Sequence, residues 1–198
     1  MIVDELTKNR KIKSLSIITF CFLLLGLAGY FLWEKKQKTL SVVFADQAYD
    51  FNKNYSQPFL EGVLSYDDFE KACKSLDDSF FKNKNFLIEV LNLNKKLNED
   101  GKNELILFLG EKFLLSPIEG HLKTLLIYQL SSAYENTLNI DKMKEVLLSE
   151  VKPKILPDYH LYLLARAYRL SHDVENEKKY TYKLTAEFPD SQWAKVLP

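Results

Sequence analysis

Leu130-Ser131-Ser132-Ala133-Tyr134 and Leu164-Ala165-Arg166-Ala167-Tyr168 carry one pattern twice: a large apolar residue, a small residue, then Ala-Tyr, with the two copies 34 residues apart. Ile127 and Leu161 match at the same offset. A recurrence of this length marks a supersecondary unit that cannot bury its apolar face alone and stacks on the next copy to do so. The spacing inside each copy is helical, because Ile127, Leu130, Ser131 and Tyr134 fall on one face at offsets of three and four.

Working outward, the chain reads as all-α. Six glycines, six prolines and no alternating runs of Val, Ile and Thr favour helices joined by short turns over sheet. Leu40, Phe44, Ala48 and Phe51 predict a helix that ends near Asn52 to Pro58. Ser65-Tyr66-Asp67-Asp68 has the form of a capping box and opens a helix with Phe69, Ala72, Cys73, Leu76 and Phe80 on one face. Phe86, Leu87, Val90, Leu91, Asn94 and Leu97 make the next amphipathic stretch, closed by the turn Asn98-Glu99-Asp100-Gly101. A helix over about Asn103 to Leu115 follows. Ser116-Pro117-Ile118-Glu119 then predicts a helix start, with a Ser cap and Pro in the first turn, for a helix reaching about Asn136. Further helices are predicted at about Asp141 to Val151, Pro157 to Ser171 and Val174 to Phe188, with a final turn from Ser191.

The 34-residue period and the small residue where two helices cross resemble the tetratricopeptide repeat. With Tyr134 and Tyr168 placed at that family's position 11, Leu130 and Leu164 fall at position 7, Ser131 and Ala165 at position 8, and Pro189 at the closing proline. Phe188-Pro189-Asp190-Ser191-Gln192-Trp193-Ala194 is similar to the end of repeats in bacterial envelope members of the family. Met143 and Glu177 depart from the usual Ala of position 20, and Leu147 and Thr181 from the usual aromatic of position 24. Counting back 34 residues from Tyr134 reaches Asp100, so the register is not continued upstream; the segment Phe69 to Ala72 could be a degenerate repeat. The resemblance implies that the first helix of each hairpin lines a concave groove. On this chain that face is Leu125, Tyr128, Ser132, Glu135 and Asn136 in one repeat and Tyr159, Tyr162, Arg166, Arg169 and Leu170 in the next. Tyr with Arg is a composition that binding hot spots favour.

The N-terminal region has a different character. Ser14 to Trp33 is an uncharged run flanked by Lys8, Arg10, Lys11 and Lys13 on one side and Glu34, Lys35 and Lys36 on the other. At about 1.5 Å per helical residue it would span about 30 Å, the thickness of a bilayer core. A cleaved signal peptide fits poorly, because the run is long and closes in the bulky Tyr30, Phe31, Leu32 and Trp33 rather than in small residues. We therefore expect a short tail (1–13), a single transmembrane anchor (14–33), a juxtamembrane helix and linker (34–57) and a tetratricopeptide-like domain (58–198). Lys and Arg near the span ends, and the small size of the tail, orient the N-terminus inward and the C-terminal domain outward.

Composition narrows the function classes. Net formal charge is zero, which gives no basic face for nucleic acid. Cys21 lies in the apolar run and Cys73 stands alone beyond it, so Cys73 reads as a small core residue. His121, His160 and His172 are scattered, and the sequence has no H-E-x-x-H, no C-x-x-C and no Gly-rich phosphate loop. Asp100-Gly101 fails as a calcium loop, since its first and twelfth positions would be Lys96 and Leu107. No catalytic residues, metal or cofactor are expected.

A short tail, one span and a degenerate tetratricopeptide-like domain together resemble the YfgM-like proteins of bacterial inner membranes. That resemblance implies an accessory of the Sec translocon working beside a periplasmic chaperone of the PpiD type. The expected function is a non-enzymatic, membrane-anchored protein-interaction module. The alternatives are a scaffold in outer-membrane assembly, cell division or a secretion apparatus, and a sensor or enzyme with a ligand pocket that carries no motif.

Overall fold

A computed structural model describes residues 26–27, 29–36, 38–39 and 42–196. The chain divides after Ala45 into two units. In the first, the described residues are helical, and Leu27, Tyr30, Phe31, Leu32 and Trp33 are all exposed. Most of the expected anchor, Ser14 to Leu25 and Ala28, and the whole expected tail lie outside the described residues. No helix among the described residues is long and apolar enough to cross a membrane.

The second unit begins at Asp46 and is helical throughout, with no strand among the described residues. Helix α1 (residues 46–51) passes through a π-helical turn, Asn52–Ser56, into the short α2, Gln57–Leu60. The expected stop between Asn52 and Pro58 is thus corrected. Pro58 cannot donate to a carbonyl four residues back, and the widened turn just before it accommodates the ring without ending the helix. Phe51 is buried and meets Phe86 edge-on at 4.9 Å, while Phe59 stacks on Phe69 at 4.3 Å.

Helix α3, Tyr66–Lys74, starts where the capping box predicts: the Ser65 hydroxyl accepts from the Asp68 N–H at 3.2 Å. It stops sooner than the apolar pattern implies. Asp77 Oδ1 accepts the Ser79 N–H at 2.8 Å and starts a separate 3₁₀ turn, Phe80–Lys82, so Leu76 and Phe80 reach the core from outside the helix. Phe69, Phe86 and Phe113 are fully buried there. Each such side chain stabilises the fold by roughly 1.5–3 kcal/mol.

Three antiparallel hairpins complete the unit: α4, Lys84–Glu99, with α5, Asn103–Leu114; α6, His121–Asn136, with α7, Ile140–Leu148; and α8, Pro157–Leu170, with α9, Val174–Glu187. The start predicted at Ser116-Pro117 for α6 is corrected to His121. Gly120 takes a left-handed φ of 75° that interrupts any helix begun at Pro117, and Ile118 is buried against the core instead of joining a first turn. The helix that follows Asn139 ends at Leu148, before the expected Val151.

The three hairpins close with one hydrogen-bonded turn. In the second, Thr137, Leu138 and Asn139 donate to the carbonyls of Ala133, Glu135 and Tyr134; in the third, Ser171, His172 and Asp173 donate to Ala167, Arg169 and Tyr168. In the first, Asp100, Gly101 and Lys102 donate to Lys96, Asn98 and Leu97 in the same pattern. The central residue is left-handed each time, with φ of 69° at Gly101, 58° at Leu138 and 59° at His172. Asn139 and Asp173 then cap α7 and α9 with their side chains. Leu97 therefore stands where Tyr134 and Tyr168 stand, and the upstream register that fails at 34 residues is recovered at 37.

The equivalences extend through the hairpins. Val90, Ile127 and Leu161 correspond, as do Leu93, Leu130 and Leu164, and Asn94, Ser131 and Ala165 at the helix crossing. After the turn, Ile106 and Met143 are buried, while their counterpart Glu177 accepts from Arg169 Nε at 2.7 Å. The short α10, Gln192–Val196, lies against α8 and α9 and sets the Trp193 ring 4.6 Å from that of Tyr159 and 5.0 Å from that of Tyr162.

Candidate functional site

Helices α4, α6 and α8 follow one another as the first members of the hairpins, and a cavity of about 300 Å³ opens among them. Four of the residues expected on the groove line it: Leu125, Tyr128, Ser132 and Tyr159. Asn94, Lys95 and Asn98 of α4, Gln129 of α6 and Leu156 ahead of α8 complete most of the wall. Lys95 and Asn98 occupy in α4 the places that Ser132 and Glu135 occupy in α6, so the first hairpin extends the same face. Sequence reasoning missed them because the three-residue difference in spacing hides the correspondence.

Not every expected residue presents its side chain freely. Tyr128 is buried, and its hydroxyl donates to the Ile155 and Leu156 carbonyls at 2.9 and 3.1 Å. Burial pushes its pKa upward, with Glu150 adding to the effect. It therefore acts as a donor that holds the connection to α8, where Leu156 takes a left-handed φ of 46°. Arg166 is bound to Glu135 through Nε, at 2.8 and 3.0 Å to the two carboxylate oxygens, and again through Nη2. This fork bridges α6 and α8 across the face. Arg169 turns to Glu177 on α9, and Asn136 donates to Asn98 Oδ1 at 3.0 Å and Asn103 Oδ1 at 3.1 Å. Tyr162 is half-buried under Trp193, and Leu170 is exposed at the end of α8.

The cavity floor carries a directed amide chain. Leu91 offers only a carbonyl, so Gln129 Nε2 donates to it at 3.0 Å; Gln129 Oε1 in turn accepts from Asn94 Nδ2 at 2.5 Å. That order leaves Asn94 Oδ1 as an acceptor, and it is buried without a partner. Tyr128 and Tyr159 meet edge-on at 5.2 Å beside it, and burial raises the Tyr159 pKa.

A second cavity, of about 330 Å³, lies on the other side of the α7–α8 connection, with walls that include Leu147, Val151, Pro153, Leu164 and Phe188. Glu150, His160, Lys183 and Glu187 are its ionisable groups. His160 is buried with Nδ1 unpartnered, and desolvation lowers its pKa to about 4, so it is neutral at physiological pH. Cys73 is buried too; desolvation, with Glu70 adding, pushes its thiol up to about 12, far from the range of a reactive thiolate. Among the described residues no group of three or more His, Cys, Asp or Glu side chains could hold a metal ion.

No family model matches this chain. Comparison with curated proteins and with solved structures likewise finds none similar to it. The functional reading rests on the residues and the geometry of the groove.

Proposed function

We propose that the chain is a membrane-anchored, non-enzymatic interaction module whose tetratricopeptide-like domain holds a protein partner on the face formed by α4, α6 and α8. The observation that carries this is the cavity on that face, walled by Leu125, Tyr128 and Tyr159 and reached by the same places of three successive hairpins. Repeat arrays of this kind make extended concave surfaces suited to polypeptide partners. Large apolar walls with a few placed polar groups are what binding sites offer.

The anchor reading is supported by the uncharged run Ser14 to Trp33 and by the exposed aromatic side chains at its end. Together with the basic N-terminal flank it puts the helical domain on the periplasmic side of a bacterial inner membrane. The likeness to YfgM-like proteins makes the Sec translocon and its PpiD-type chaperone neighbours the partners to try first.

Photocrosslinking tests the groove. With full-length chain in its native membrane, a probe at Leu125 or Ser132 is expected to capture one dominant protein, and Leu125→Glu to abolish that capture while the melting temperature holds. Capture of equal yield and pattern from Lys179 on α9 would sink the groove assignment. A C-terminal reporter active only in the periplasm checks the orientation, and cytoplasmic activity overturns it.

A further inference from the structure

The cavity among α4, α6 and α8 says more than that a partner docks there. Its volume, about 300 Å³, is at the bottom of the range of ligand pockets, roughly 300–1,000 Å³, which suits one large side chain better than a whole small molecule. Leu125, Tyr128, Leu156 and Tyr159 give that side chain apolar and aromatic walls. The Asn94 side chain is 97% buried, from a residue exposure of 3%, and its Oδ1 lacks a donor although the rest of its amide chain is complete. Such an acceptor costs roughly 1–3 kcal/mol while unmade. Ser131 and Ala165, its counterparts in the next two hairpins, are small, so the amide is particular to this end of the face.

Charge narrows the occupant further. Lys95 is the one ionisable cation or carboxylate on the cavity wall, and the nearby Glu135 is already engaged by Arg166. A basic segment would therefore meet repulsion at the cavity mouth and no available counter-charge.

We propose that this cavity seats a large apolar side chain of an extended partner segment with an acidic residue beside it, and that Asn94 Oδ1 accepts one backbone N–H of that segment. The proposal rests on the groove reading above and adds its chemistry. An extended chain offers a backbone N–H next to each side chain, so one seated residue brings the donor to the orphaned acceptor. Binding then depends on sequence through a single pocket and on the backbone through a single hydrogen bond.

Fluorescence anisotropy on the full-length chain in mild detergent tests it. The probe is a fluorescein-labelled nine-residue Gly/Ser peptide with a central Phe-Asp pair. Central Phe→Ser is expected to abolish binding, and Asp→Lys to weaken it several-fold. Replacing backbone amides one at a time by esters should reveal one position that costs about tenfold, the equivalent of one lost hydrogen bond. The same ester should cost nothing further in Asn94→Leu. If every ester binds as its amide does, the Asn94 assignment is overturned, and that comparison stands even if the variant fails to fold. If the probe does not bind while crosslinks from Leu125 persist, the extended-segment proposal fails and the groove reading survives; if both fail, both fall.

Discussion

His160 shows how one buried side chain links the fold to pH. Its imidazole lies in the wall of the cavity behind the α7–α8 connection, with Glu150, Lys183 and Glu187 as the other ionisable groups there, and burial lowers its pKa from 6.5 to about 4. An unfolded chain binds the proton at higher pH than the folded one, so the stability contributed by the neutral ring is present above pH 6.5 and is lost as pH falls toward 4. The loss is on the order of 3 kcal/mol when complete. Urea unfolding of His160→Leu, which cannot titrate, should show a flatter dependence of the midpoint between pH 6.5 and 4 than the parent. An unchanged slope would mean that the ring is solvated. The scattered histidines of the sequence gave no sign of this, because burial of position 160 depends on the strained connection that Leu156 makes ahead of it.

At the scale of helices and turns, close approach and handedness set the terms. Gly110 lets α5 approach α6: a Cβ there would sit 2.5 Å from Leu130 Cδ2 and 2.9 Å from Cγ. Gly→Ala inside a helix gains about 1 kcal/mol from propensity, but forcing a methyl into a packed core costs about 1–3 kcal/mol. Gly110→Ala should therefore destabilise by about 1 kcal/mol in thermal or urea unfolding, and Leu130→Val should cost less in the Gly110→Ala background than alone. Simple additivity of the two would refute the contact. The turns make a matched pair of opposite sign. Leu138 is left-handed and exposed, so Leu138→Gly is expected to raise stability by about 0.5 kcal/mol, whereas Gly101→Leu should lower it by about 1 kcal/mol. Two melting curves decide it.

Much of this level is legible in the residues. The Ser65 capping box, the Gly101 turn and the apolar faces of α4 to α9 are local signals, and local hydrogen bonds answer them. Ser116-Pro117 misleads because a cap-like pattern says nothing of the burial of Ile118, which is a tertiary demand. Leu76 and Phe80 mislead in the same way, since helical spacing continues in the sequence after the Asp77 turn has broken the helix. For the groove, Leu125, Tyr128, Ser132 and Tyr159 follow from the repeat register, but the pairing of Arg166 with Glu135 and the seat of Trp193 do not. Those depend on how hairpins lie beside one another.

For the helical unit as a whole, the hairpins are uneven partners. Helix α4 buries Phe86, Leu87, Val90, Leu93, Asn94 and Leu97, whereas α9 buries Leu184 alone. Chains built from stacked units open locally, and a member with little buried surface opens first. Native-state hydrogen exchange should therefore find α9 amides exchanging through a lower-energy opening than those of α4, with α6 close to α4. Uniform protection across the three hairpins would instead make the unit a single cooperative block.

The 37-residue step between Gly101 and Leu138, against 34 between Leu138 and His172, has a meaning for how such a chain can change. The surplus residues fall in the connection between hairpins, and the turns on either side keep the same three hydrogen bonds. Length is thus free to drift at the joints while each unit stays intact, so descendants of this chain can diverge beyond the reach of any fixed-period comparison and still present the same face. The segment 116–119 is accordingly the natural place to splice in a foreign loop.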